Sequence, residues 1–162
     1  MALQSTTAIA TITLQQASST VTFSGIPNTY RDLVLVANMK LLSSAEPRLR
    51  FNSDSTSSYS MVQMAGNGSG TLSNTGTQSF GWITPNSGTS TTNFDAYTAQ
   101  LLDYSVTDKH KTWISRYSPD AVYVNALANR WAKTEAINQI QFFTNASSFA
   151  VGSTFSLYGR IA

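Results

Sequence analysis

Cysteine is absent from the 162 residues. Its absence removes any disulfide framework, any thiolate nucleophile and any zinc site built on sulfur. A single histidine, His110, excludes a multi-histidine metal centre within one chain. Charge is scarce as well: 11% of residues are Asp, Glu, Lys or Arg, less than half the roughly 25% usual in folded domains. No stretch approaches the ~20 consecutive apolar residues that a membrane-spanning helix needs. The opening Met1-Ala2-Leu3-Gln4-Ser5-Thr6-Thr7 has neither a basic n-region nor an apolar h-region. The expectation is therefore a chain without a secretory signal, made in a cytoplasm and released by another route such as lysis.

What fills the chain instead is hydroxyl and ring. There are 23 Ser and 21 Thr, and 18 aromatics stand among 41% hydrophobic residues. That is enough apolar material for a core and argues against disorder. The length suits one domain, 1–162, with residues 1–6 as a possible extended arm or a frayed end. Net charge is +2, and the ten basic residues are scattered, with Lys109-His110-Lys111 the one local concentration. Nucleic-acid binding needs a clustered basic footprint, so none is expected.

The dominant period along the chain is two, which marks half-buried strands. Ala8, Ala10, Ile12 and Leu14 share a face, as do Val21 and Phe23. Leu33, Leu35, Ala37, Met39 and Leu41 make a long apolar face. The opposite face holds Val34 and Val36 among polar residues, which predicts a central strand covered on both sides. In Arg48-Leu49-Arg50-Phe51-Asn52, Leu49 and Phe51 point in while the arginines and Asn52 point out. Further strands are predicted over 59–64, 80–83, 94–102, 111–117, 122–128, 137–143 and 154–161. Turns are predicted at Gly25-Ile26-Pro27-Asn28, Asn67-Gly68-Ser69-Gly70, Pro85-Asn86-Ser87-Gly88 and Ser118-Pro119-Asp120. Residues 129–136 lack alternation and are the one candidate for a short helical turn. Two segments, 52–60 and 65–77, are rich in Ser, Thr, Asn and Gly and read as surface loops. Ten or eleven short strands separated by turns predict an all-β antiparallel sandwich, most simply a jelly roll.

Candidate chemistry is thin. His110 is the one imidazole able to serve a Ser or Thr nucleophile, and its lysine neighbours mark it as an exposed hairpin-tip residue. Ser69 lies in Gly66-Asn67-Gly68-Ser69-Gly70, which lacks the first glycine of a nucleophile elbow. No phosphate-binding loop occurs. Asp95, Asp103 and Asp108 are the nearest carboxylates, but the first two sit about 26 Å apart on a straight strand, too far for a glycosidase pair. Asp32, beside Arg31, and Asp120, after Pro119, read as ion-pair and turn residues. Asn52-Ser53-Asp54-Ser55-Thr56 alternates oxygen donors as a calcium loop does, yet holds one carboxylate, and an Asx turn explains the same residues. Trp82, Trp113 and Trp131 are potential sugar-stacking platforms; Trp82 and Trp113 alternate like core residues, Trp131 is the most plausible exposed one, and for each of the three core packing or an interface anchor is favoured over a glycan shelf. The sequence thus supplies no catalytic, cofactor-binding or metal residue.

Several segments carry a resemblance. Phe23-Ser24-Gly25-Ile26-Pro27-Asn28-Thr29-Tyr30-Arg31-Asp32-Leu33-Val34-Leu35 resembles a recurrent opening in small jelly-roll virion proteins of tailed bacteriophages. Leu49-Arg50-Phe51-Asn52-Ser53-Asp54, running on to Tyr59, is similar to the same group, with Ser53 where a glycine is expected. So are Leu102-Asp103-Tyr104, Lys109-His110-Lys111-Thr112 and Phe155-Ser156-Leu157-Tyr158-Gly159. The resemblance implies a non-enzymatic virion role: a decoration or cement protein on the capsid surface, oligomeric and most simply trimeric, with the major capsid protein as partner. The alternative is a tail-fibre or baseplate module that binds host surface glycan. In either case Tyr30 and Tyr59 are expected as corner residues with ring inward and hydroxyl bonded to a loop, and Gly159 as a site of close approach or a bulge.

Overall fold

The structure is a computed structural model that describes residues 6–84, 90–118 and 124–161. The chain makes β1 (Thr6–Thr13), β2 (Thr20–Ser24), β3 (Asp32–Met39), β4 (Pro47–Phe51), β5 (Tyr59–Gly66) and β6 (Thr71–Gln78). It continues with β7 (Gly81–Trp82), β8 (Asp95–Leu102), β9 (Lys111–Tyr117), β10 (Val124–Trp131), β11 (Gln139–Thr144) and β12 (Thr154–Arg160). Eight strands form one sheet in the order β1-β12-β3-β8-β9-β10-β5-β6, and four form a second in the order β2-β11-β4-β7. Every pairing is antiparallel. The protein is an all-β sandwich of jelly-roll-like architecture.

Alternation decides what each strand gives to the space between the sheets. β9 reads buried and exposed in strict turn, sending Lys111, Trp113, Ser115 and Tyr117 inward and Thr112, Ile114 and Arg116 outward. From the smaller sheet, Leu49, Phe51, Ile140 and Phe142 face them. Phe51 is the hub: its ring lies 5.1 Å from Trp113, 5.6 Å from Trp131 and 6.1 Å from Tyr59. A second aromatic run joins Phe142, Phe155 and Phe149, with successive centroids 5.0 Å apart. Edge-on ring packing of this kind adds about 1 kcal/mol per pair beyond area burial. On the outer face of the small sheet, Arg48 and Arg50 turn away from the core and lie over the Phe80 and Phe143 rings at 3.9 and 4.5 Å.

Three details differ from the sequence reading. The segment 65–77 is not a loop: it contains most of the β5–β6 hairpin, paired in register from Tyr59–Gln78 to Gly66–Thr71. β6 is an edge strand with no buried residue, so it carries no apolar alternation to detect. The 129–136 segment holds no helical turn. β10 runs through to Trp131, with residues 132–138 as loop, because Asn125 and Asn129 take inward positions normally filled by apolar side chains. β3 is central but covered on one side; Val34 and Val36 remain half-buried on an open face. The predicted strand over 122–128 is seen from Val124 onward. The turn at 85–88, residues 119–120 of the 118–120 turn, and residues 1–5 of the amino-terminal arm lie outside the described residues.

Candidate functional site

The loop that resembled a calcium site is closed by its own side chains. Phe51-Asn52-Ser53-Asp54 is a tight turn with the Asp54 N–H donating to the Phe51 carbonyl at 2.8 Å. Both central residues have positive φ, 48° and 59°, the pattern of a type I′ turn. Asn tolerates that region through its short polar side chain. Asn52 also clamps the chain from 136 to 139, accepting from the Asn138 and Gln139 N–H groups and donating to the Ala136 carbonyl. Asp54 then accepts from the Thr56 N–H and hydroxyl on Oδ1, and from the Ser58 hydroxyl and the Trp131 indole N–H on Oδ2. Partial burial opposes its ionisation, yet the four donors outweigh that and hold the carboxyl far below the usual carboxylate range. The Asx turn accounts for these residues: both oxygens are already engaged.

Trp131, the tryptophan most open to exposure on the sequence, is fully buried, as the favoured core reading has it. Its indole nitrogen finds Asp54 at 2.7 Å, and its ring stacks beside Tyr59. Tyr59 is the expected corner residue: its hydroxyl accepts from the Phe51 N–H at 2.9 Å and reaches the Asp54 carbonyl at 3.3 Å. Burial raises its phenol above the ordinary value. Tyr30 covers Gly159, where an added Cβ would meet the Tyr30 ring at 2.2 Å, so the glycine permits close approach. The neighbouring Tyr104, quoted above only within the Leu102-Asp103-Tyr104 resemblance, donates its hydroxyl to the Pro27 carbonyl and fixes the Ile26-Pro27 corner.

The basic tip divides. His110 and Lys109 are exposed, whereas Lys111 is fully buried with its Nζ donating to the carbonyls of Val106, Lys109 and Thr134 at 2.7 to 3.0 Å. Desolvation pushes its ammonium below the ordinary value; Asp108 opposes the shift, Lys109 adds to it and Asp103 opposes it. Period-two parity could have found this residue, since Lys111 shares a face with Trp113.

The acids are apportioned to structure. Asp95 and Asp103 sit at opposite ends of β8. Asp95 accepts from the Tyr117 hydroxyl and the Ser90 N–H. Asp32 accepts from the Asp103 N–H at 3.0 Å rather than pairing with Arg31. Arg31 and Lys109 both lie by Asp103, at 3.9 and 3.4 Å. Among the described residues no three His, Cys, Asp or Glu side chains gather to hold a metal, and no helix is long and apolar enough to cross a membrane. Asp120 lies outside the described residues.

The feature that sequence reasoning missed is on the outer face of the large sheet. Two depressions of about 490 and 270 Å³ meet at Ile114. The larger is bounded by Val62, Leu102, Ala128 and Arg130, the smaller by Val34, Gln100 and Arg116. Exposed Val62, Met64 and Val124 could have signalled it, since all three are outward residues of adjacent strands.

No protein-family model and no curated protein matches the chain. Among solved structures, the galectin LEC-6 of Caenorhabditis elegans is similar over 91% of this chain and 94% of its own, at 10% identity and a TM-score of 0.33. The alginate lyase Aly36B is similar over 93% of this chain and 77% of its own, also at 10% identity and 0.33. A mutant of that lyase in complex with an alginate tetrasaccharide gives 12% identity and a TM-score of 0.31.

Proposed function

We propose that this protein is a non-enzymatic structural component of a tailed-phage virion, a decoration or cement protein that sits on the capsid exterior as an oligomer, with a trimer the simplest form. One observation carries the reading. Among the described residues, β1 and β6 each pair on one side only, and these two edges of the eight-stranded sheet comprise sixteen residues without a single ionisable side chain. Proteins that live alone guard such edges with lysine, proline, a bulge or a covering loop; β1 carries a register shift at Ala8–Ala10, whereas β6 has no charge, proline or bulge. Edges left uncharged suit a molecule whose backbone groups are completed by neighbours. The engagement of Asp32, Asp54, Asp95 and Lys111 in local hydrogen bonds supports a non-catalytic role. The phage resemblance adds to this, since its segments build the β2–β3 corner, the type I′ turn and β12.

In mechanism, several modest contacts to adjacent capsid subunits are linked through one oligomer, so that avidity exceeds any single contact. The tail-associated, glycan-binding alternative needs exposed rings on one loop face. All three tryptophans are buried, and among the described residues Phe94 is the one exposed aromatic. Quantitative mass spectrometry of separated heads and tails tests the proposal. Hundreds of copies with heads are expected; a few copies with tails would sink it.

A further inference from the structure

The outer face of the large sheet is unusual for a solvent-facing antiparallel surface, where polar residues are the rule. Register aligns Val62, Ala128, Ile114, Gln100 and Val34 in one row across five adjacent strands. Ile114 and Met64 are each 63% exposed and Val62 is 51% exposed. With Leu102 and Val124 they make half of the large exposed hydrophobics among the described residues, all on β5, β8, β9 and β10. A contiguous apolar patch of this kind marks an interaction surface.

Charge on that face is one-sided. Among the described residues its charged side chains are Arg116, Arg130, Arg160 and Asp32, and Asp32 stands opposite Arg160 at the far end of the β3–β12 ladder. Arg116 and Arg130 flank the apolar row on either side of Ile114, and among the described residues neither is in an ion pair. The five-strand row spans about 19 Å at ordinary strand spacing, the length of some six extended residues.

We infer that this face is the docking seat for a protein segment that places apolar side chains on both sides of Ile114 and carboxylates against Arg116 and Arg130. Both depressions mix aliphatic and polar lining, Leu102 and Ile114 beside Thr98, Gln100 and Thr112, and neither presents an exposed ring on which a sugar could stack, which favours a protein segment over a sugar chain. The identity of the partner as a capsid subunit rests on the function proposed above; the chemistry of the seat rests on the sheet itself.

The test is cosedimentation with purified shells that lack this protein. Wild-type protein, Ile114→Asp, the double variant Arg116→Glu/Arg130→Glu and the loop control Val151→Ser are compared. Wild type and the control should bind, with salt weakening the interaction, and the other two should lose at least about tenfold in bound copies. The Arg pair is exposed, so its reversal leaves the core intact, which matched tryptophan emission verifies. If wild type does not bind shells, the capsid role fails and takes this seat with it. If all variants bind like wild type, the seat alone is wrong. A loss of self-association in Ile114→Asp would show that a second copy covers the face, overturning the proposal. Binding of polygalacturonate by wild type and not by the Arg double variant would overturn it in favour of an anionic glycan.

Discussion

Among the described residues Asp54 concentrates more structural consequence than any other acid, because one carboxylate joins the β4–β5 loop to the buried edge of Trp131. Its folded-state pKa is depressed, so the stabilisation is present above the unfolded carboxyl range near pH 4 and is lost as pH falls below it. Asp54→Asn is expected to lower the urea midpoint at pH 7, corresponding to about 2 kcal/mol, with the difference from wild type shrinking below pH 4. Parallel pH–stability curves would contradict that. Gly159 gives a steric counterpart. Gly159→Ala drives a methyl into the Tyr30 ring and should cost about 2–3 kcal/mol in chemical denaturation. Restoring room with Tyr30→Ala in the same chain should recover part of the loss beyond additivity, the signature of direct contact.

Among the elements, the two sheet edges are where assembly is testable. Leu72 on β6 and Ala8 on β1 are exposed positions with no charge nearby in sequence. Leu72→Lys and Ala8→Lys together are expected to shift the protein toward monomer in sedimentation velocity while leaving the thermal midpoint within a few degrees. An unchanged oligomer would show that the edges are not the contact. The same scale explains what the sequence disclosed. Strands with apolar residues on one parity, such as β3, β4 and β9, were legible because burial on one face enforces the alternation. β6 was not, since an edge strand without buried residues has nothing to alternate. The burial of Trp131 was less legible because Asn125 and Asn129 break the apolar pattern of β10 while still pointing inward. The outer-face seat escaped notice for a different reason: its row runs perpendicular to the chain across five strands, so a linear window shows only single outward apolar residues such as Val62 or Ile114.

For the molecule as a whole, the pairings span long sequence distances. β1 pairs with β12, β3 with β8 and β12, and β5 with β10. Such topology must close large loops before its contacts form, which places folding on a millisecond-to-second scale. Stopped-flow refolding followed by the three buried tryptophans should show it; completion within about 100 microseconds would contradict the pairing scheme. Phe51, the ring that touches three other aromatics across the sandwich, is the side chain whose truncation to alanine should be most damaging, at about 3–5 kcal/mol.

Lys111 offers a clock. Its amine is held by three carbonyls away from solvent, whereas Lys109, only two residues away, is exposed. An acylating or reductively methylating reagent will therefore modify Lys109 at once and Lys111 only when the Val106–Lys109 loop and the 132–138 segment part. The ratio of label at these two positions measures the frequency of that opening. Within an assembled particle, the same ratio would report whether neighbours hold the sandwich shut.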